Sequence, residues 1–178
     1  LYSNKGLTDA GQLKIGEKLA VYPYESISYE TPQEFTLVDL AKIEEIAPLN
    51  TKISKIKKEL LSHGLLPLTT TNTNLPRLIR ILGHIYGDGG IYLDKAENSL
   101  RYKIVFSGKR HELKEIRKYV EQLNFPISKT ILTTSESIIQ TQKGFRTIKG
   151  TSLQFRITNK SLALLLIALG APIGDKAL

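Results

Sequence analysis

The sequence predicts an α+β domain in its second half, with the element order helix, two strands, helix, two strands, helix. Two observations predict it. Apolar residues recur at helical spacing in three segments, and between those segments apolar and polar residues alternate with the period of a strand. This order fits residues 76–170 without an insertion.

The three predicted helices are each defined by an apolar pattern. The first covers 76–88 and has Ile81, Leu82 and Ile85 on one face. The second covers 111–124, with an apolar stripe every three to four residues: Leu113, Ile116, Val120 and Leu123. The third covers 161–169 and is closed by Gly170, as glycine after a last turn commonly does.

Two predicted hairpins lie between the helices. The first joins 91–95 to 101–107 around Glu97-Asn98, and the second joins 127–140 to 145–158 around Lys143-Gly144. Strand alternation puts apolar residues on one face and mostly basic or amide residues on the other. The apolar set is Tyr102, Ile104, Phe106, Leu153, Phe155 and Ile157; the alternating set includes Arg101, Lys103, Val105, Gln154, Arg156 and Thr158.

The first 74 residues predict smaller elements. Leu13, Ile15, Leu19 and Val21 have the spacing of half-buried strands around a Gly-Glu turn. Residues 35–68 predict two short helices around Pro48, which form either a helix-turn-helix-like unit that touches DNA or a connector packed on the following core. The polar run 69–74 predicts a linker, and Asn74 a helix cap. The expected domains are therefore 1–34, 35–74 and 75–178.

Composition limits the function classes. The formal net charge is +8, and it is concentrated in residues 75–178, where 17 Lys and Arg face 8 acidic residues. A basic half of this kind is typical of nucleic-acid binding.

The sequence also lacks residues that some classes of protein require. There is no cysteine, which excludes disulfides and thiolate metal sites. We see no signal peptide and no transmembrane segment, so an intracellular, prokaryotic-type cytoplasmic location is expected. The absence of methionine predicts a fragment or a processed product.

The segment 80–90 carries the most specific pattern. Gly83 and Gly87 lie four residues apart on one side of the predicted helix, which suggests that another helix approaches the backbone there. Gly89 and Gly90 are expected to end the helix. Asp88 would then lie at a helix C-terminus, where the dipole disfavours negative charge and a cation would neutralise it.

Residues 81–89, Ile-Leu-Gly-His-Ile-Tyr-Gly-Asp-Gly, resemble the LAGLIDADG motif of homing endonucleases. The segment departs from the motif at His84 and at Tyr86. The predicted element order is also that of one LAGLIDADG repeat, αββαββα. The resemblance therefore implies a curved antiparallel four-stranded sheet whose outer face binds DNA.

A second resemblance lies near the N-terminus. Residues 6–21 are similar to a segment of Hint (intein-type) domains, with Glu17 where that family usually has Asp. The chain shows no Cys or Ser at position 1, no Thr-x-x-His element and no terminal His-Asn pair. It is therefore expected not to splice.

Together the resemblances imply a site-specific double-strand DNA endonuclease, intein-derived, which hydrolyses phosphodiesters with Mg²⁺. They imply Asp88 and Lys176 as catalytic residues and Asp88 with Gly89 at the metal; the alternative for Lys176 is a solvated side chain without a role. Ser107 and Lys109 are either supporting groups of this site or structural residues. A helix interface at Gly83 and Gly87 would join a second LAGLIDADG repeat, from a homodimer or from a missing C-terminal half. The DNA-binding set is Lys103, Lys109, Lys129, Arg146, Gln154 and Arg156.

Two other functions remain open at this point. The chain could be a DNA-binding protein of the same fold that has lost cutting, since His84 and Tyr86 depart from the motif. It could also be a splicing-element remnant with a structural role. In each case duplex DNA or the second repeat is the expected partner, and no membrane is involved.

Overall fold

The computed structural model describes residues 2–3, 6–7, 9–20, 33–96, 99–141 and 144–174. The predictions for Val21, Glu97-Asn98, Lys143 and Lys176 lie outside these residues. The chain divides into two compact units, Leu1–Thr31 and Pro32–Leu178. The predicted boundaries after residues 34 and 74 remain predictions. None of the helices in the described ranges has the length and apolar character that crossing a bilayer requires.

The first unit contains little regular structure in its described residues. Strand β1 (Tyr2–Ser3) pairs antiparallel with β2 (Gly6–Leu7), and a short 3₁₀ helix covers Ala10–Gln12. Gly16 forms the predicted turn, with a positive φ of 94°. Ile15 and Leu19, which the spacing predicts to be half-buried on either side of this turn, are both exposed, and the described residues just before the turn form no strand.

The second unit begins with two short helices, as the sequence predicts. Strand β3 (Thr36–Val38) leads into α1 (Leu40–Ile46), and α2 (Ile53–Ser62) follows. The Asp39 side chain caps α1 by accepting from the backbone N–H of Lys42 at 2.9 Å. Both helices pack against the last helix of the unit, so they have the position expected of a connector packed on the core.

The polar run 69–74 is held to the residues before it. Strand β4 (Leu68–Thr69) pairs antiparallel with β3, and the backbone N–H of Thr70 donates to the Phe35 carbonyl at 3.0 Å. The Asn72 amide donates to the Gly64 carbonyl at 2.9 Å. Asn74 makes no side-chain cap; it instead accepts from Arg77 at 2.9 Å. These contacts explain how a segment without apolar residues is held in place.

From residue 75 the structure has the predicted element order. Helix α3 (Leu75–Tyr86) is followed by strands β5 (Gly89–Ala96) and β6 (Ser99–Gly108), and α4 (Arg110–Gln122) by β7 (Ile131–Thr141) and β8 (Gly144–Ile157). Helix α5 (Lys160–Ala168) comes last. The four strands form one antiparallel sheet in the order β5-β6-β8-β7. The α+β class is thus present, and the curvature of the sheet stays a prediction.

The sheet has one covered and one open face. Helices α3, α4 and α5 all pack on β6, on the face that carries the predicted apolar residues. Tyr102, Ile104, Phe106, Phe155 and Ile157 are buried there. Lys103, Gln154 and Arg156 alternate with them and therefore point to the open face.

Helix α5 is the most apolar element of the core. Six of its residues from Ser161 to Leu166 are buried, and α1, α2 and β6 pack around it. A helix that is apolar on all sides requires cover on all sides. The segment 35–74 supplies part of that cover, so it belongs to the same hydrophobic core as the sheet.

Glu59 joins α2 to the start of α5. Its two carboxylate oxygens accept from the Asn159 amide at 2.6 Å and from the buried Ser161 hydroxyl at 2.5 Å. Asn159 also caps α5 by accepting from the Leu162 N–H at 2.8 Å. One carboxylate therefore fixes both the cap and the first turn of the core helix.

The described structure corrects the expected end of the first helix. Helix α3 ends at Tyr86, and Gly89 and Gly90 belong to β5 instead of following a helix as its stop. Gly89 lies against the backbone: a Cβ there would meet the Val105 carbonyl oxygen at 2.8 Å and the Ile85 Cα at 3.1 Å. Close packing between helix and strand is the reason that this position is glycine.

The two departures from the motif have structural contacts of their own. The His84 Nε2 donates to the Ser107 carbonyl at 3.0 Å and so ties α3 to β6. The Tyr86 hydroxyl donates to the Gly170 carbonyl at 2.6 Å, which ties the end of α3 to the end of α5. These two residues hold elements together.

We predict opposite effects for alanine at two glycines of this segment. Gly89→Ala should lower the free energy of unfolding by about 2 kcal/mol, because the added methyl meets backbone atoms that cannot move alone. Gly83→Ala should raise it by about 1 kcal/mol, because Gly83 is exposed in a helix with no atom within 4 Å of an added Cβ. Urea denaturation followed by circular dichroism measures both; destabilisation by Gly83→Ala would contradict the helix described here.

A second prediction concerns Glu59. Glu59→Ala should lower the free energy of unfolding by about 2 kcal/mol, because it removes a charged acceptor and leaves the buried Ser161 hydroxyl unpaired. The matched control is Glu45→Ala on the exposed surface of α1, which should change it by less than about 0.5 kcal/mol. Equal effects of the two variants in urea denaturation would show that the contact between α2 and α5 contributes nothing.

Candidate nucleic-acid interface

The open face of the sheet carries a shallow depression where β5, β6 and β8 meet. Its volume is about 330 Å³. It brings together five residues singled out from the sequence for DNA or metal binding, Asp88, Gly89, Lys103, Gln154 and Arg156, with Ser107. The remaining lining residues are Tyr92, Asp94 and Val105. We call this group the open-face depression.

A chain of hydrogen bonds crosses the depression from β6 to β8. The Gln154 amide nitrogen donates to the Ser107 hydroxyl at 3.0 Å, and the Gln154 amide oxygen accepts from Arg156 Nη2 at 3.1 Å. Ser107 and Gln154 are opposite each other in the register, and so are Val105 and Arg156. The amide therefore orients the guanidinium along the strand.

Arg156 also has an unpaired donor. Its Nε is buried and has no hydrogen-bond partner among the described residues. A buried guanidinium N–H without an acceptor is unfavourable by roughly 1–3 kcal/mol. A small rotation of the Arg156 side chain would expose this N–H. Binding of a ligand with a hydrogen-bond acceptor at this point of the depression would then be favourable.

The charges in the depression are nearly balanced. Lys103 forms an ion pair with Asp94, with both side chains partly exposed. Asp88 is exposed in the turn before β5, and Arg156 is the second cation. Two carboxylates and two cations make a surface of mixed donors and acceptors. Such a surface suits polar base edges better than a run of phosphates, which would require an excess of positive charge.

An aromatic ring lies on the same face. Tyr92 is 45% exposed and points away from the core, opposite Lys103 in the register. Its ring covers Gly90, where a Cβ would meet the ring carbons and the hydroxyl at 2.8–2.9 Å. Gly90 therefore allows the tyrosine ring to lie close to the strand, beside the depression.

Tyr92 and Asp94 were not among the candidate residues from the sequence. Both lie in β5, where the alternation with buried Ile91 puts them on the open face. The alternation of 91–95 carries this information once β5 is recognised as the neighbour of β6. The sequence also predicts the hairpin that pairs 91–95 with 101–107, so the alternation in 91–95 is sufficient to place both residues on the open face.

The other predicted DNA contacts lie outside the depression. Arg146 is exposed on β8, ten residues before Arg156, which is about 33 Å along a strand. Lys129 is exposed before β7, next to Ser128, whose backbone and hydroxyl both bond to the backbone of Arg156. Lys109 is exposed at the start of α4, and Lys176 lies outside the described residues.

Lys109 has a structural partner at the start of α4. Its backbone N–H donates to the Glu112 carboxylate at 2.9 Å. This hydrogen bond is the main cause that lowers the pKa of Glu112. Burial acts in the opposite direction, and the neighbouring His111, Lys109 and His84 side chains add smaller contributions that lower the pKa. The backbone of Lys109 thus helps to begin a helix, while its side chain remains exposed to solvent.

The predicted helix interface is exposed in this chain. Gly83 and Gly87 both lie on the outer surface of α3, and an added Cβ at Gly83 would have no neighbour within 4 Å. Within the described residues, no other element approaches Gly83 in the way that the sequence pattern suggested.

The side chains near Asp88 offer few ligands for the expected Mg²⁺. Among the described residues there is no group of three or more His, Cys, Asp or Glu side chains that could hold a metal ion. Asp88 and Asp94 both line the depression, and Asp94 is already paired with Lys103. A cation at Asp88 would therefore depend on ligands from water or from a bound phosphate. Mg²⁺ stays a prediction.

Comparisons with known proteins connect this chain to RNA-related proteins. A tRNA-splicing ligase RtcB of Methanocaldococcus jannaschii is 34% identical over 175 residues, which are 96% of this chain and 17% of that protein. A tRNA-splicing ligase RtcB of Pyrococcus abyssi is 33% identical over 172 residues, 97% of this chain and 17% of that protein. The DNA-directed RNA polymerase subunit Rpo1N of M. jannaschii is 33% identical over 178 residues, 98% of this chain and 13% of that protein.

These relatives are much longer than the chain. It spans less than a fifth of each of the three proteins that it matches. No family model matches the chain. The alignments with the ligases and with the polymerase subunit each cover nearly the whole chain, so the same segment is similar to parts of proteins with two different names.

The comparisons correct the functional prediction. The similar proteins are named as tRNA-splicing ligases and an RNA polymerase subunit, so the identification as an intein-type LAGLIDADG homing endonuclease is wrong. The expected DNA endonuclease activity, its two alternatives and the expected partners, duplex DNA and a second repeat, are corrected with it. Within the motif-like segment, close packing against Val105 and Ile85 explains Gly89, and the two residues that depart from the motif, His84 and Tyr86, each hold elements of this fold together.

Proposed function

We propose that this chain is an RNA-binding module of a longer protein and that the open-face depression binds single-stranded RNA. The observation that carries the proposal is the combination of an exposed tyrosine with donors and acceptors on an open four-stranded sheet. Aromatic side chains on such a face can stack on unpaired bases, while neighbouring polar groups bond to the base edges. The intracellular location expected from the sequence is part of this proposal.

Single-stranded RNA fits the depression better than a duplex for two reasons. The near balance of Lys103 and Arg156 against Asp88 and Asp94 provides little net attraction for a double row of phosphates. The depression is also shallow and open, so a base that is already unpaired can reach Tyr92 and the amide of Gln154 without the cost of opening a duplex.

Each side chain has a distinct role in the proposal. Tyr92 provides the stacking surface, and Gly90 keeps it close to the sheet. Arg156 donates to a phosphate or base oxygen, oriented by Gln154. Asp94 and Asp88 accept from base amino groups, and Mg²⁺ between Asp88 and a phosphate oxygen would strengthen the contact.

The names of the relatives support RNA as the ligand class. The names of both kinds of relative, tRNA-splicing ligase and DNA-directed RNA polymerase subunit, refer to RNA. Ligation itself is not proposed for this segment, because the same residues align with a protein that is not named as a ligase. Binding is the simpler activity that proteins with both names could share.

The test compares nucleic acids and one matched pair of variants. Fluorescence anisotropy with a labelled single-stranded RNA should show saturable binding that is tighter than to duplex DNA of the same sequence. Tyr92→Ala should weaken RNA binding about tenfold, because it removes one base stack, whereas Tyr92→Phe should keep most of the affinity. Lys57→Ala, on the exposed side of α2, is the control for a general loss of positive charge.

Two outcomes would contradict the proposal. Tighter binding to duplex DNA than to RNA would show that the ligand class is wrong. A Tyr92→Ala variant that binds RNA as tightly as the unchanged chain, while Lys57→Ala binds more weakly, would show that only the overall charge attracts RNA. In that case the open-face depression would have no specific part in binding.

A further inference from the structure

A second cavity lies beside α4, on the covered side of the sheet. Its volume is about 470 Å³, within the range of roughly 300–1,000 Å³ that small-molecule sites occupy. We call it the α4 pocket. It is lined by Arg110, Leu113, Lys114, Arg117, Thr130 and Leu153. Leu153 and Gln154 are neighbours on one strand and point to opposite faces, so this cavity is separate from the open-face depression.

The pocket has a cationic wall formed by one face of a helix. Arg110, Lys114 and Arg117 are separated by four and three residues, which places them on the same side of α4. No ion pair is recorded for Arg110 or Lys114 within the described ranges, and both are exposed. The wall therefore carries two cations that are free to bind an anion.

Arg117 is held in place at the inner end of this wall. Its Nε donates to Glu121 at 3.0 Å, and its Nη1 donates to the Ser128 carbonyl at 3.1 Å and to the Thr130 hydroxyl at 3.4 Å. The guanidinium also lies 5.9 Å from the centre of the Phe155 ring. These contacts connect α4 to the segment before β7 and keep the pocket open between them.

The floor of the pocket is apolar. Leu113 is almost completely buried, with 3% of its surface exposed, and Leu153 is partly buried beside it. A simple anion would gain nothing from these two side chains. A ligand with an anionic group and a flat, weakly polar ring would use both the cationic wall and the leucine floor.

We propose that the α4 pocket binds a nucleotide, with the phosphate between Arg110 and Lys114 and the base over Leu113 and Leu153. Thr130, whose hydroxyl can donate while it accepts from Arg117, lies where it can bond to the sugar or the base. The nucleotide is either a free mononucleotide or one unit of an RNA strand. The site does not depend on RNA binding at the open-face depression.

The proposal is tested by titrating the ¹⁵N-labelled chain with adenosine monophosphate and recording backbone amide shifts. Saturable shifts should appear in α4 and around residues 130 and 153. Adenosine lacks the phosphate, and ribose 5-phosphate and inorganic phosphate lack the base, so all three should bind at least about tenfold more weakly. The double variant Arg110→Ala/Lys114→Ala should also lose about tenfold in affinity for the mononucleotide, because it removes both charge-assisted contacts.

The control is Lys57→Ala/Lys58→Ala, which removes the same charge from the exposed side of α2. It should bind the mononucleotide like the unchanged chain, and thermal unfolding of both double variants checks that they are folded. Retained mononucleotide binding together with failed RNA binding would overturn the proposed function and leave the α4 pocket assignment standing.

The sources of the nucleotide are distinguished by a short single-stranded RNA. If the RNA shifts the same α4 amides and Arg110→Ala/Lys114→Ala weakens the effect, the pocket takes a unit of the strand. If only the mononucleotide shifts the α4 amides, the natural ligand is a free mononucleotide and not a unit of an RNA strand. Shifts confined to other residues, or phosphate alone binding as tightly as the mononucleotide, would overturn the assignment. The assignment would also be overturned if an acidic peptide shifted the α4 amides and the mononucleotide did not.

Discussion

The burial of α5 is the constraint on which the rest of the second unit depends. Its residues from Ser161 to Leu166 are buried, so both the sheet and the two N-terminal helices must cover it. A helix of this composition exposed on one side would be a large apolar patch. The segment that supplies this cover is held in place by the bonds of the polar run 69–74, and Glu59 reaches across from α2 to hold Asn159, the residue that caps α5.

Much of this fold follows from sequence periodicity. The three helices and two hairpins after residue 75 are set by apolar spacing, and the alternation in β6 and β8 assigns their faces. The end of α3 was misjudged because Gly89 has two possible physical reasons, a helix stop or close packing, and only the position of Val105 decides between them. Strands near Gly16 were predicted from spacing alone, but Ile15 and Leu19 are exposed.

The candidate sites were also predicted only in part from the sequence. Lys103, Gln154 and Arg156 were found because strand alternation places them opposite the core, and the structure brings them together with Asp88. Tyr92 was missed although the predicted hairpin already paired its strand with that of Lys103, because the candidates comprised only basic and amide residues of the open face. The α4 pocket was missed because Arg110, Lys114 and Arg117 read as an ordinary solvated helix surface until Leu153 and Thr130 are placed against them. The functional error came from treating a nine-residue motif as specific, although close packing is sufficient to explain its last glycine, Gly89.

The long hairpin of β7 and β8 has a consequence for how the molecule opens. Strand β8 pairs with β6 only through residues 153–157, whereas residues 144–152 pair with β7 alone in the described sheet. A two-stranded ribbon is marginally stable by itself. Amide protons in the outer part of this ribbon should therefore exchange with solvent by local opening, while those of the central β6–β8 pair exchange only when the core around Phe106 and Phe155 comes apart.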